Sequence, residues 1–159
     1  MFTPIHRALG LEAGNASIDL IQQAIDHGVE ETSDLDWKQA VYNSRKPNWD
    51  EEAAKDIAAM ANSGGGWIVF GIKEGGATNA ACEIVPIAWS AAEQQRILRI
   101  AYAKVGPPVI GIEFYDIPCG DEGGGSVVMM RTLRTPRTSH ARVTTRSLPR
   151  VETALTPCT

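Results

Sequence analysis

Residues 50–72 read DEEAAKDIAAMANSGGGWIVFGI, and this stretch carries a helix, its stop and a strand in unbroken order. Asp50 stands where an N-cap oxygen would meet free backbone amides, and Glu51 and Glu52 face the positive end of the helix dipole. Ala54, Ile57, Ala58 and Ala61 recur at helical spacing, and their small size lets the helix lie close against a sheet. Asn62 to Gly66 ends it. Trp67 to Ile72 is then nearly all apolar and rich in aromatic and β-branched residues, the composition of a central strand covered on both faces.

Working outward toward the N-terminus, Asp34 to Lys38 alternates strictly, which puts Leu35 and Trp37 on one strand face and Asp34, Asp36 and Lys38 on the other. Before it, Ser17 caps a helix running to His27 whose apolar stripe is Ile18, Leu20, Ile21, Ala24 and Ile25, with Gly28 as the left-handed stop. Asn43 to Asn48, containing Pro47, reads as a loop. Toward the C-terminus, Lys73 to Ala81 reads as a glycine-containing turn, and Ile84 to Ile87 as a short edge strand interrupted by Pro86. Ser90 to Glu93 has the form of a capping box, followed by a buried stripe of Ile97, Leu98, Ala101 and Val105 and a Gly106-Pro107-Pro108 stop. Val109 to Ile117 and Ser126 to Met130 read as strands about a turn at Gly120 to Gly125. The expected fold is α/β (α+β), a single mixed β-sheet packed by about three helices. Residues 1–30 form an N-terminal helical segment, 31–130 the domain, and 131–159 an irregular, basic Thr/Arg/Ser/Pro-rich tail.

A chain of 159 residues with 43% hydrophobic, 21% charged and 6% aromatic residues, 15 Gly and 9 Pro suits one compact domain and excludes fibrous classes. Its apolar runs are too short to span a bilayer, and residues 1–17 lack the basic and apolar regions of a secretion signal, so the expectation is a cytoplasmic protein without membrane contact. Cys82, Cys119 and Cys158 are scattered, which implies neither a disulfide framework nor a zinc site. Charge is unevenly spread: residues 1–130 hold 9 Lys or Arg against 18 Asp or Glu, whereas residues 131–159 hold 6 Arg against Glu152. An acidic folded part argues against a broad nucleic-acid surface. The abrupt change at Arg131 raises the expectation of a shifted reading frame or a truncated gene, and of an exposed strand edge open to a second copy of the chain.

Three features bear on chemistry. The Ser63-Gly64-Gly65-Gly66 run follows a helix instead of preceding one and has no adjoining Lys-Ser or Lys-Thr, so it reads as a stop and not as a phosphate loop. Glu31, Asp36 and Glu74 are hard oxygen donors that neighbouring strands could bring together around magnesium or manganese, although acids at such positions are commonly just solvated. Lys38 and Lys73 alternate with those acids and could meet phosphates or merely pair at the surface. Trp37 and Trp67 read as core anchors, while Trp49, near Arg45 and Lys46 in a polar loop, is placed to stack on a base. No histidine cluster and no serine-nucleophile motif accompany them.

The order of ETSDLDWK (31–38), AKDIAAMANSGGG (54–66) and WIVFGI (67–72) resembles the Schlafen AlbA-like domain family, over about Glu31 to Met130. That resemblance implies a mixed α/β fold and nucleic-acid binding, since bacterial members are regarded as DNA-binding domains. In animal relatives the matching acids form a metal-dependent ribonuclease site, which the resemblance carries onto Glu31, Asp36 and Glu74. Here the second acid is Asp and the third Glu, so reach changes by one methylene at two positions, and metal geometry tolerates little displacement. The leading expectation is a DNA- or RNA-binding domain of a bacterial-type regulator or defence protein, with Lys38, Arg45, Lys46 and Lys73 on phosphates and Trp49 on a base. Its rivals are a magnesium- or manganese-dependent endoribonuclease and a protein-interaction or inactive truncated domain.

Overall fold

The structure is a computed structural model and describes residues 1–134 and 140–144. Its elements, in chain order, are α1 (Pro4–Leu9), α2 (Ile18–Asp26), β1 (Leu35–Lys38), α3 (Trp49–Asn62), β2 (Gly66–Phe70), β3 (Ile72–Gly75), β4 (Ala80–Ile84), α4 (Ala91–Lys104), β5 (Val105–Gly106), β6 (Glu113–Pro118), β7 (Ser126–Thr132) and β8 (Arg142–Val143). The expected mixed sheet has four strands in the order β1-β2-β7-β6, with β1 and β2 parallel and the other pairs antiparallel. Two small sheets, β3-β4 and β5-β8, accompany it.

β2 explains the layering. Its alternate side chains enter different cores: Ile68 and Phe70 pack with Ile57 and Ala61 of α3 and with Ile97 and Ile100 of α4, while Trp67 and Val69 pack with Ile5 of α1 and with Leu20 and Ile21 of α2. Helices therefore cover both faces of the sheet, which is why this strand shows no polar alternation. α3 is the crossover that joins parallel β1 to β2. Gly66, at the entry to β2, is packed so tightly that an added Cβ would lie 2.5 Å from Met60 Sδ.

Several local readings change. α1, unread in the sequence, is too short to show periodicity, but Thr3 caps it, Pro4 occupies its first turn and Gly10 closes it in the left-handed region. The cap of α3 is Asn48, at φ 58°, and not Asp50, whose carboxylate is bound instead by Lys104 at 2.8 Å. The apolar run 67–72 breaks at Gly71, where φ is 93°, so Ile72 begins a new strand. The stretch read as a turn, Lys73 to Ala81, is thereby mostly hairpin, β3 pairing with β4, and Ile87 makes only an isolated bridge to Ser126. In α4 Ser90 accepts from the Glu93 amide as expected, but the Glu93 side chain turns to Arg96, and Ile100 takes the buried place expected of Leu98.

The chain also keeps its fold past residue 130, contrary to an irregular tail beginning there. β7 continues through Thr132, and Arg142 and Val143 pair with Gly106 and Val105. Ala141 is buried, and Asn62 holds it from the end of α3: Asn62 Nδ2 donates to the Ala141 carbonyl at 3.0 Å and the Ala141 amide donates to Asn62 Oδ1 at 2.8 Å. Residues 135–139 and 145–159 of the expected tail, Cys158 among them, lie outside the described residues. Replacing Asn62→Ala removes both bonds and should destabilise the domain by about 1–3 kcal/mol in urea unfolding, with faster amide exchange at Ala141. Unchanged exchange there would show that this segment is held by something else.

Candidate functional site

The polar face of β1 turns toward α3. Leu35 and Trp37 are buried on the α1–α2 side, so Asp36 and Lys38 project to the other, where α3 presents Asp56. The Lys38 ammonium lies 3.0 Å from Asp36 Oδ2 and 3.1 Å from Asp56 Oδ2, and the Tyr42 hydroxyl donates to Asp56 at 2.8 Å. All three charged side chains are mostly shielded, about a fifth to a quarter exposed. The pair of carboxylates raises the Lys38 pKa against the opposing pull of its own desolvation.

Glu31 completes this group from the turn before β1. One of its oxygens accepts from the Trp37 backbone amide at 3.1 Å, and the other accepts from Asn79 Nδ2 at 3.1 Å across the β3–β4 hairpin. Asp36 lies against Glu31, and burial first, then the hydrogen bond shared with that neighbouring acid, pushes its pKa up to about 6 despite the attraction of Lys38.

Of the three carboxylates expected to hold a cation, the fold thus brings two together. Glu74 stands exposed on β3, opposite Ala81, and no three Asp, Glu, His or Cys side chains among the described residues gather as a metal site. The charge that a divalent ion would neutralise beside Asp36 is met by Lys38 instead. As placed, the residues do not fit a three-carboxylate magnesium or manganese centre.

The residues expected to bind nucleic acid separate into two kinds. Lys38 is committed to its two carboxylates, and Lys73, on the hairpin, pairs loosely with Glu83 at 3.7 Å, both well exposed. Arg45 and Lys46 stand exposed in the β1–α3 loop and make no ion pair among the described residues. Trp49 opens α3 half-buried against the core, with the Arg96 guanidinium 4.7 Å from its ring centre, so one ring face is already covered. Beside them is an open cleft of about 390 Å³ lined by residues 40–44, Ile87, Ala88, Glu93 and Arg96.

Sequence reasoning missed Asp56, Tyr42 and Arg96. Asp56 and Arg96 sit on helices whose polar residues all look alike in sequence, and only the packing of α3 and α4 singles them out. Arg96 is unusual: its Nε and one terminal nitrogen are buried without a partner among the described residues, while its other terminal nitrogen binds Glu93. Arg96 is also among the residues that line the cleft, and a guanidinium is suited to an anion's oxygens.

The raised pKa of Asp36 sets a pH dependence. The folded chain holds this proton up to about pH 6, whereas the unfolded chain releases it near the ordinary value of 3.8. Between those values the folded state binds more protons, so this group's contribution to stability falls as pH rises from about 4 to 6 and is then constant. Asp36→Asn should therefore exceed the parent in urea-unfolding stability at pH 7.5 by roughly 1–3 kcal/mol, with the advantage fading by pH 4.5. A carboxyl titration placing Asp36 near pH 4 would contradict this reading.

The fold has recognised counterparts. The family described as Schlafen, AlbA_2 matches residues 31–157, so the composition change at Arg131 lies within the matched region. Among solved structures, the chain is similar to the N-terminal domain of a protein from Nitrosomonas europaea related to the ATP-dependent DNA helicase RecG, determined by solution NMR. The two share 14% sequence identity with a TM-score of 0.57, over 82% of each chain, a likeness of fold. No curated protein matches the sequence. On the extent of the family match, which begins at Glu31 and takes in β1, the crossover helix, the glycine stop and the buried strand, the chain belongs to the Schlafen AlbA_2 family.

Proposed function

We propose that this domain binds DNA or RNA by its phosphate backbone through the β1–α3 loop, as part of a bacterial-type regulator or defence protein, and that it does so without cutting. The observation that carries the reading is the pair Arg45 and Lys46, exposed and without an acidic partner among the described residues, beside a cleft whose lining includes Arg96. Family membership and the fold shared with a RecG-related domain support a nucleic-acid-related role.

The net acidity of the chain is less of an obstacle at this loop than composition suggests. Asp36 and Asp56 are met by Lys38, Asp50 by Lys104 and Glu93 by Arg96. Glu51 and Glu52, exposed on the first turn of α3, still repel a phosphate, so contact is confined to the loop and the cleft. Binding of this kind is modest and strongly weakened by salt. Cleavage forms no part of the proposal because Glu74 is not gathered with Glu31 and Asp36.

Fluorescence anisotropy with a labelled duplex DNA and a structured RNA tests this. Arg45→Ala with Lys46→Ala should weaken binding about tenfold at 0.1 M salt and reduce the slope of log affinity against log salt by about 1.8 on duplex DNA. An unchanged affinity and slope would remove the loop from the interface.

A further inference from the structure

A second basic concavity lies at the opposite end of the sheet. β1 and β2 run parallel, and α3 returns between them, so the β1–α3 loop sits at one end of α3 and the glycine stop at the other. A helix of 14 residues separates the two by about 20 Å. At the glycine end is a cleft of about 290 Å³ between the N-terminal arm, the Gly64–Gly66 turn and the end of β7, with Phe2, Arg7, Trp67, Arg131 and Arg134 among its walls.

Its charge is unlike that of the chain as a whole. Three guanidinium groups line it against one carboxylate, Asp34. Arg7 is committed to Asp34 through two bonds of 2.7 and 2.9 Å. Arg131 is free in part: it lies 5.9 Å from the Trp67 ring centre and reaches Glu113 at 3.3 Å, with nearly half of its side chain exposed. Arg134 is exposed and makes no ion pair among the described residues. Beside these cations Phe2 stacks one face on His6 and leaves 56% of its surface in solvent.

The glycine turn is not the anion holder. It closes α3, whose C-terminal end carries the unfavourable partial charge, so an anion here must be held by the arginines. What the turn supplies is bare backbone. Gly64 has φ 87° with open space where a Cβ would stand, and Gly65, at φ 95°, lets the end of β7 approach, since a Cβ there would lie 3.1 Å from the Thr132 carbonyl oxygen.

Cations that can fork onto phosphate oxygens beside an exposed ring are the two components by which single-stranded nucleic acid is held. The cleft is too small to admit a duplex. We propose that it is a second contact for nucleic acid, taking a phosphodiester of a single strand on Arg131 and Arg134 with the adjoining base against Phe2. The identity of the ligand rests on the nucleic-acid reading above, while the location of the contact is independent of the β1–α3 loop.

The test is amide NMR of the full chain titrated with a 12-nucleotide oligothymidylate, and separately with inorganic phosphate. The oligonucleotide is expected to shift Gly64, Gly65, Arg131 and Arg134. Arg131→Ala with Arg134→Ala should abolish those shifts and weaken binding about tenfold while sparing shifts at Arg45 and Lys46. Arg134→Glu, at an exposed position without an ion pair among the described residues, should weaken binding at least as much as Arg134→Ala and keeps the test separate from folding. Phe2→Ala should weaken binding less than the double arginine variant. Shifts confined to residues 43–46 would overturn the cleft and leave the loop reading intact. No shift at either end would overturn both. Equal shifts from inorganic phosphate at the same concentration would make the cleft a site for free anions and overturn the strand contact.

Discussion

The Lys38 ammonium, held between Asp36 and Asp56, is the interaction on which the arrangement of this domain depends. β1 is amphipathic by sequence, so burying Leu35 and Trp37 against α1 and α2 forces Asp36 and Lys38 toward the crossover helix. A carboxylate turned into that space without a partner would cost several kcal/mol. One cation shared by two carboxylates, with the Tyr42 hydroxyl donating to the second, makes the contact between β1 and α3 tolerable. It also decides the chemistry of the site, since the positive charge beside Asp36 comes from the chain itself.

Asp36 is the element under strain in this arrangement. Burial and the proximity of Glu31 push its pKa up to about 6 against the pull of Lys38, so the carboxyl is mostly ionised at neutral pH yet takes up a proton far more readily than a solvated aspartate. Groups perturbed in this way gather at functional sites, and also in structural ion networks. The absence of a gathered third acid among the described residues favours the second description: Glu31 is spent on the Trp37 amide and on Asn79, which fixes the turn before β1 to the β3–β4 hairpin. Of the carboxylates that the family resemblance offers as metal ligands, Glu31 ties β1 to the hairpin and Asp36 holds Lys38, which in turn reaches Asp56 on α3, while Glu74 stands exposed.

What was legible in the sequence follows from how far each signal reaches. The two-sided burial of Trp67 to Phe70, the caps at Ser17 and Ser90 and the alternation at Leu35 to Lys38 are local patterns set by packing and backbone geometry, and each appears in the fold. The break at Gly71 was not legible, because an apolar run carries no mark of the residue where one sheet gives way to another. Nor was the place of residues 140–144, whose composition suggests a tail while Asn62, 79 residues from Ala141, and the pairing of Arg142 and Val143 with β5 hold their backbone to the fold. At the site, sequence distance hid the partners: Asp56 meets Lys38 only because α3 crosses over β1, and Arg96 meets Trp49 only because α4 packs beside α3. Exposed Arg45 and Lys46 were legible because a polar loop with proline keeps its cations in water.

The central claim is that a domain of this family can keep its acidic residues as an internal scaffold and meet nucleic acid through cations at the ends of its sheet. The most direct measurement incubates the purified chain with labelled structured RNA and duplex DNA, with and without manganese, reading retention and cleavage on one gel. The expected result is retention that falls with salt, and intact nucleic acid whether or not manganese is present. Manganese-dependent cutting of the RNA, abolished by Asp36→Ala, would contradict the account and make the carboxylates of β1 and its turn an active centre.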